Sequence, residues 1–171
     1  MKKFRILLIA CLIAFALPGY SQYFEVPVDY NLVTKEDYAP YEKDVIEAAK
    51  WLIETPFKQE KYKRKLASKF VFDWVNGSPT VFCGIPPVIF DFERKNKGMM
   101  VNFMACVARY SLENKNDTAI QSKYLFAVNE LIVFYKKNKD LAKDKKMDKL
   151  IKAKEQGKME EWMAEFMKMD R

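Results

Sequence analysis

Between residues 136 and 158 ten lysines stand against Asp140, Asp144, Asp148 and Glu155, a local net charge of 10 − 4 = +6. Ammonium groups at this density attract anions: the phosphate, sulfate or carboxylate groups of a lipid surface, a glycan or another protein. Within the run, Lys143, Lys145, Lys146 and Lys149 are the candidate contact residues for a polyanion or partner surface. Signs also alternate along it, which is the pattern of a plain solvated helix face. Nucleic acid fits less well, because no nucleic-acid-binding motif accompanies the lysines.

Other chemistry finds fewer footholds. The chain has no histidine, which removes Ser-His-Asp and Cys-His nucleophile pairs, His-ligated zinc and an imidazole proton shuttle. Asp73, Asp91 and Glu93 are the carboxylates embedded in apolar sequence. Acid–base work would need them in one cleft with shifted pKa values, and nothing in their spacing fixes a separation. Cys83 as a nucleophile would require activation by a lysine or a helix N-terminus. There is no Gly-rich phosphate loop, carboxylate-rich calcium loop or CxxC pair. A non-enzymatic protein without cofactor or metal is therefore expected.

The N-terminus reads as an export signal. Lys2, Lys3 and Arg5 precede the 12-residue apolar run from Ile6 to Leu17, too short to span a bilayer, which takes about 20 residues. Gly19 and Ser21 suit positions −3 and −1 of a cut before Gln22, giving a leader of residues 1–21. Acylation at Cys11 and an uncleaved anchor are the alternative readings. After the cut 171 − 21 = 150 residues remain, the length of one domain, and the net charge falls from +7 to +4. Such a chain buries about 68–70% of its unfolded surface without staples. Cys83 and Cys106 are then the remaining cysteines. One disulfide between them suits an oxidising compartment, while Cys106, on an apolar helix, equally suits a buried free thiol.

Periodicity predicts an all-α, compact bundle of about five or six helices with one irregular apolar connector, residues 22–171 forming a single domain. Tyr23 to Val28 reads as a short extended stretch. A first helix runs from about Pro40 to Glu54 and stops at Thr55-Pro56; a second spans about Glu60 to Asn76, with Gly77 as a left-handed stop. Tyr62, Leu66, Phe70 and Trp74 form its i+4 strip. From Thr80 to Phe90 the chain is apolar, but Gly84 and Pro86-Pro87 forbid one regular element. It reads as a packed connector ending in a helical turn near Asp91 to Arg94, with Phe82, Ile85 and Phe90 as candidate walls of an apolar cleft.

The helix from about Gly98 to Glu113 is apolar on most sides and so central. Asn102, Cys106, Arg109 and Glu113 share one line on it, read as a solvent edge, with Asp73 as the partner of Arg109 should that arginine be buried. A fourth helix starts after a cap at Asn116 or Asp117 and reaches about Asn138; a short one covers about Lys145 to Gln156, closed by Gly157. The last, Lys158 to about Met169, carries Met159, Trp162, Met163, Phe166 and Met167 on one face, with glutamates on the other. Docking onto the domain is the expected role of that face, with a detachable amphipathic helix as the alternative.

In Trp51-Leu52-Ile53-Glu54-Thr55-Pro56, in Phe72-Asp73-Trp74-Val75-Asn76-Gly77-Ser78-Pro79, and in Leu150-Ile151 with Gly157-Lys158-Met159-Glu160-Glu161, the chain resembles a group of uncharacterised exported helical proteins of Gram-negative bacteria. The resemblance spans most of the mature chain and its motifs are helix ends. It implies an all-helical fold and carries over no site residues. Together these readings give the expectation of an exported, periplasmic or secreted binding or accessory protein of the cell envelope. Its partner would be a protein or glycan, with peripheral membrane contact as the other route.

Overall fold

Pro40 sits in a 3-10 turn, Ala39–Tyr41, where its fixed φ and missing N–H cost nothing. From there the chain enters α1, Glu42–Glu54, whose first turn carries Glu42 and Asp44 against the positive end of the helix dipole. Thr55 ends α1 in an extended conformation, as a residue before proline must. The computed structural model describes residues 24–168, so the expected leader and the expected cut before Gln22 lie outside the described residues. Six helices follow α1: α2 Lys61–Gly77, α3 Pro87–Lys95, α4 Met99–Glu113, α5 Ile120–Lys137, α6 Lys145–Glu155 and α7 Met159–Lys168. The fold is all helical among the described residues, and none of its helices is long and apolar enough to cross a membrane.

The helix beyond the expected five or six is α3. Pro87 occupies its first turn rather than breaking it, and Ile89 and Phe92 turn inward. Only Ser78 to Pro86 remains as irregular connector. The expected extended piece at the N-terminus forms no strand; instead Phe24, Tyr30 and Tyr38 strap the segment across α1 and α2. Phe24 is buried with its ring 6.4 Å from that of Trp51, and Tyr30 lies 5.1 Å from Phe70. Its hydroxyl donates to Asp73 Oδ2 at 2.5 Å, and Lys69 pairs with the same carboxylate.

Two apolar clusters share α4. One gathers α1, α2 and the N-terminal strap around Trp74, Phe70 and Leu52, with Met104, Ala105, Ala108 and Leu112 from α4. The other gathers α3, α5, α6 and α7 around Tyr124, Phe134 and Phe92, with Met99, Phe103, Cys106 and Val107 from α4. The polar line on α4 is therefore no solvent edge: Asn102 and Cys106 are buried. Arg109, half-buried, donates to Glu113 at 3.1 Å and Glu130 at 3.5 Å and lies over the Phe126 ring, while Asp73 is engaged elsewhere. Nor is Tyr62 part of the inward strip of α2; it is exposed, and Arg64 and Ala67 take that face.

Cys83 and Cys106 are free thiols rather than a disulfide. Cys106 is packed as a small hydrophobe in the second cluster, and Cys83 fits between the two. Burial pushes the Cys83 thiol up to about 12 and raises that of Cys106, so neither supplies a thiolate at neutral pH.

Gly77 serves close approach rather than a left-handed turn. Its φ is not positive, and a Cβ there would lie 1.8 Å from the hydroxyl oxygen of Tyr38 and 2.7 Å from its ring. Tyr38 is itself held, since Trp74 Nε1 donates to its carbonyl at 3.0 Å. In an ordinary helical site alanine is favoured over glycine by about 0.5–1 kcal/mol. Here Gly77→Ala should instead lower stability by about 1–3 kcal/mol through overpacking, measured as a shift in urea midpoint. Adding Tyr38→Phe should recover part of the loss; a stabilised single variant would show that the phenol swings clear.

Candidate functional site

The lysine-rich run folds as a tied corner between α5 and α6. Asn138 ends α5: its backbone N–H and side-chain Nδ2 both donate to Phe134 O, at 3.1 and 2.8 Å, and its Oδ1 accepts from Phe57 N at 2.6 Å. Asn96, at the end of α3, reads the loop as a strand would, donating to Ala142 O at 2.9 Å and accepting from Ala142 N at 2.7 Å. The Tyr135 hydroxyl accepts from Asp144 N at 2.8 Å. Asp144, buried, then caps α6 by accepting from Lys146 N and Met147 N. These hydrogen bonds tie the charge-rich loop to the ends of α3, α5 and α6.

At 100° per residue Lys145, Lys149 and Lys152 fall within about 60° of one another, opposite the buried Met147 and Leu150. They form an exposed ridge along α6, and no ion pair to them exists among the described residues. Shallow depressions flank it on both sides. One, about 400 Å³, lies against the end of α5 and is rimmed by Lys136, Lys139, Lys143 and Asp148 over Tyr135, Leu141 and Ile151. The other, about 340 Å³, has Val88, Trp162 and Phe166 as its floor and Asp91, Lys146, Lys149 and Glu165 at its edge.

The four lysines singled out from sequence thus do not act as one patch. Lys145 and Lys149 stand on the ridge, Lys143 turns into the first depression, and Lys146 is consumed by an ion pair with Asp91. That ammonium, with Arg94 close by, holds the Asp91 carboxyl below its usual range. Lys136 pairs with Glu155 at 2.8 Å, Lys58 reaches Asp140 at 3.1 Å, and Lys137 donates to Glu54 O. Lys136 and Lys139 were not distinguishable from their neighbours in sequence, because their convergence with Lys143 depends on how the loop after Asn138 doubles back.

The remaining candidates disperse. Phe82 is 72% exposed and Phe90 46%, while Ile85 packs inward, so the three enclose no cleft among the described residues. Asp73 is taken by Tyr30 and Lys69, Asp91 by Lys146 and Arg94, and Glu93 accepts from Met100 N at 3.0 Å. Among the described residues no three acidic, cysteine or histidine side chains are grouped to hold a metal ion. A third depression, about 200 Å³, is already neutralised, with Lys115 on Glu42 at 2.8 Å. Compared with known proteins, the chain matches no family model, and no curated protein or solved structure is similar to it.

Proposed function

We propose that this protein is an exported, non-enzymatic binding module of the cell envelope, and that α6 with its flanks is the surface that meets an anionic partner. The observation that carries the reading is the ridge of Lys145, Lys149 and Lys152, cationic, exposed and unneutralised on a rigid frame. Nearby lysines show that acids were within reach of this segment and pair only with others: Lys136 with Glu155, Lys146 with Asp91. The protein is read as non-enzymatic because each carboxylate embedded in apolar sequence is engaged by its own neighbours and both thiols are held protonated.

A polyanionic glycan or acidic protein suits the ridge better than insertion into a bilayer. None of the large apolar side chains most exposed among the described residues, Val28, Val33, Tyr62, Phe72, Phe82, Phe90, Ile120 and Val133, belongs to α6. Membrane anchoring by one cationic face normally needs an apolar wedge or acyl chain beside it. Export itself rests on the leader of residues 1–21.

Retention on heparin tests the surface. The native chain should stay bound above physiological salt, where exposed charges are screened beyond about 8 Å. K145E/K149E should elute earlier than K61E/K65E, a matched charge reversal on the exposed side of α2. Equal elution of the two variants would mean that net charge alone, not this ridge, is being read.

A further inference from the structure

We infer that the depression between the end of α5 and α6 is a binding pocket for a compact multivalent anion, a sugar bearing phosphate or sulfate esters, held between Lys139 and Lys143. The inference rests on the anionic-partner reading above and deepens it. Three ammonium groups rim the pocket against one carboxylate, Asp148. Lys136 shares its charge with Glu155 at 2.8 Å, whereas no ion pair to Lys139 or Lys143 exists among the described residues. Amines gathered this way repel one another, and an anion seated among them relieves that repulsion.

Shape narrows the class. A concavity of about 400 Å³ lies at the small end of ligand sites and encloses one or two rings of a short oligosaccharide rather than a flat bilayer or an extended protein face. Its floor of Leu141, Ile151 and the Tyr135 ring offers apolar contact to the C–H face of a sugar, and Asp148 offers an acceptor for a hydroxyl. The walls are already ordered by Asn138, Asn96 and the Asp144 cap, so backbone ordering takes little from affinity. The opposite flank of α6 is not equivalent: Lys146 is paired with Asp91, and two carboxylates, Asp91 and Glu165, stand against its two lysines.

The test is calorimetric titration of the full chain with a heparin-derived sulfated tetrasaccharide, beside sedimentation with phosphatidylglycerol vesicles. Saturable one-to-one binding of the tetrasaccharide is expected. K139Q/K143Q should weaken it about tenfold or more, the scale of losing a charge-assisted hydrogen bond. K139R/K143R should largely restore it, and K145Q/K149Q should cost clearly less than the pocket pair. Unchanged dichroism and melting keep the K139Q/K143Q result interpretable. Equal loss in the pocket and ridge pairs overturns the pocket while leaving the anion-binding surface standing, as does heparin retention without tetrasaccharide binding. Sedimentation with vesicles alone overturns the sugar assignment. Failure to bind heparin, tetrasaccharide and vesicles removes both readings.

Discussion

Replacing Arg64 with methionine should lower folding stability by about 2–4 kcal/mol, the scale for leaving buried polar groups unpaired. Arg64 is a buried cation that makes no ion pair among the described residues. Its Nη1 donates to Leu52 O at 2.9 Å and its Nη2 to Thr55 O at 2.6 Å, the carbonyls that α1 leaves open at its C-terminal end. The guanidinium lies 5.4 Å from the Trp51 ring, 5.8 Å from Phe57 and 5.6 Å from Phe134, so three aromatic faces replace the water it lost. Burial pushes its pKa down, yet a guanidinium stays charged at any working pH.

Methionine fills much of the volume but strands both carbonyls. Lysine keeps the charge and reaches one of them, so Arg64→Lys should lie between native and Arg64→Met. Since Nε has no partner, part of the desolvation cost is unrecovered even in the native chain, which is why the loss sits well below the gross strength of two such bonds. Urea melts read the difference; native-like midpoints in Arg64→Met would show that the end of α1 needs no cap.

Removing residues 158–171 should cost about 3–6 kcal/mol, from the burial of Met163 and Phe166 at about 1.5–3 kcal/mol each. Both are buried in the second cluster, where Phe166 meets Tyr124 edge-on at 6.2 Å and stacks on Trp162 at 4.8 Å. Phe166→Ala alone should account for most of the loss, about 3–5 kcal/mol, because it adds a cavity to the lost burial. In the truncated chain Tyr124 loses that ring contact, though its hydroxyl still donates to Gly84 O at 2.9 Å. A truncated chain with an unchanged urea midpoint would make α7 a detachable helix.

Sequence patterning exposed α7 because its apolar residues recur at helical spacing beside glutamates. It also placed α1, α2 and α5 to within a few residues, since Pro40, Thr55-Pro56 and Asn138 mark their ends by local chemistry. Patterning failed where one residue type serves two ends. Pro86-Pro87 reads as a breaker yet starts α3, because the first turn of a helix needs no N–H. Gly77 reads as a left-handed cap, whereas the ring of Tyr38, remote in sequence, is what demands a missing Cβ. Arg64 hides in Lys61-Tyr62-Lys63-Arg64-Lys65, a run that looks uniformly solvated. At the candidate site the charge excess was legible, but its division into ridge, pocket and neutralised flank depends on Asp91 and Glu155, carboxylates at no fixed offset from the lysines they quench.

Ala105 and Cys106 are consecutive residues of α4, yet one packs into the first apolar cluster and the other into the second. A wall common to two rooms cannot be taken down for one of them. Loosening the α1–α2 half therefore strips support from α3, α5 and the basic corner they carry, and the reverse also holds. Although its two interiors have different neighbours, the chain should melt as one cooperative unit, and damage along α4 should register at the lysine-bearing surface without touching it.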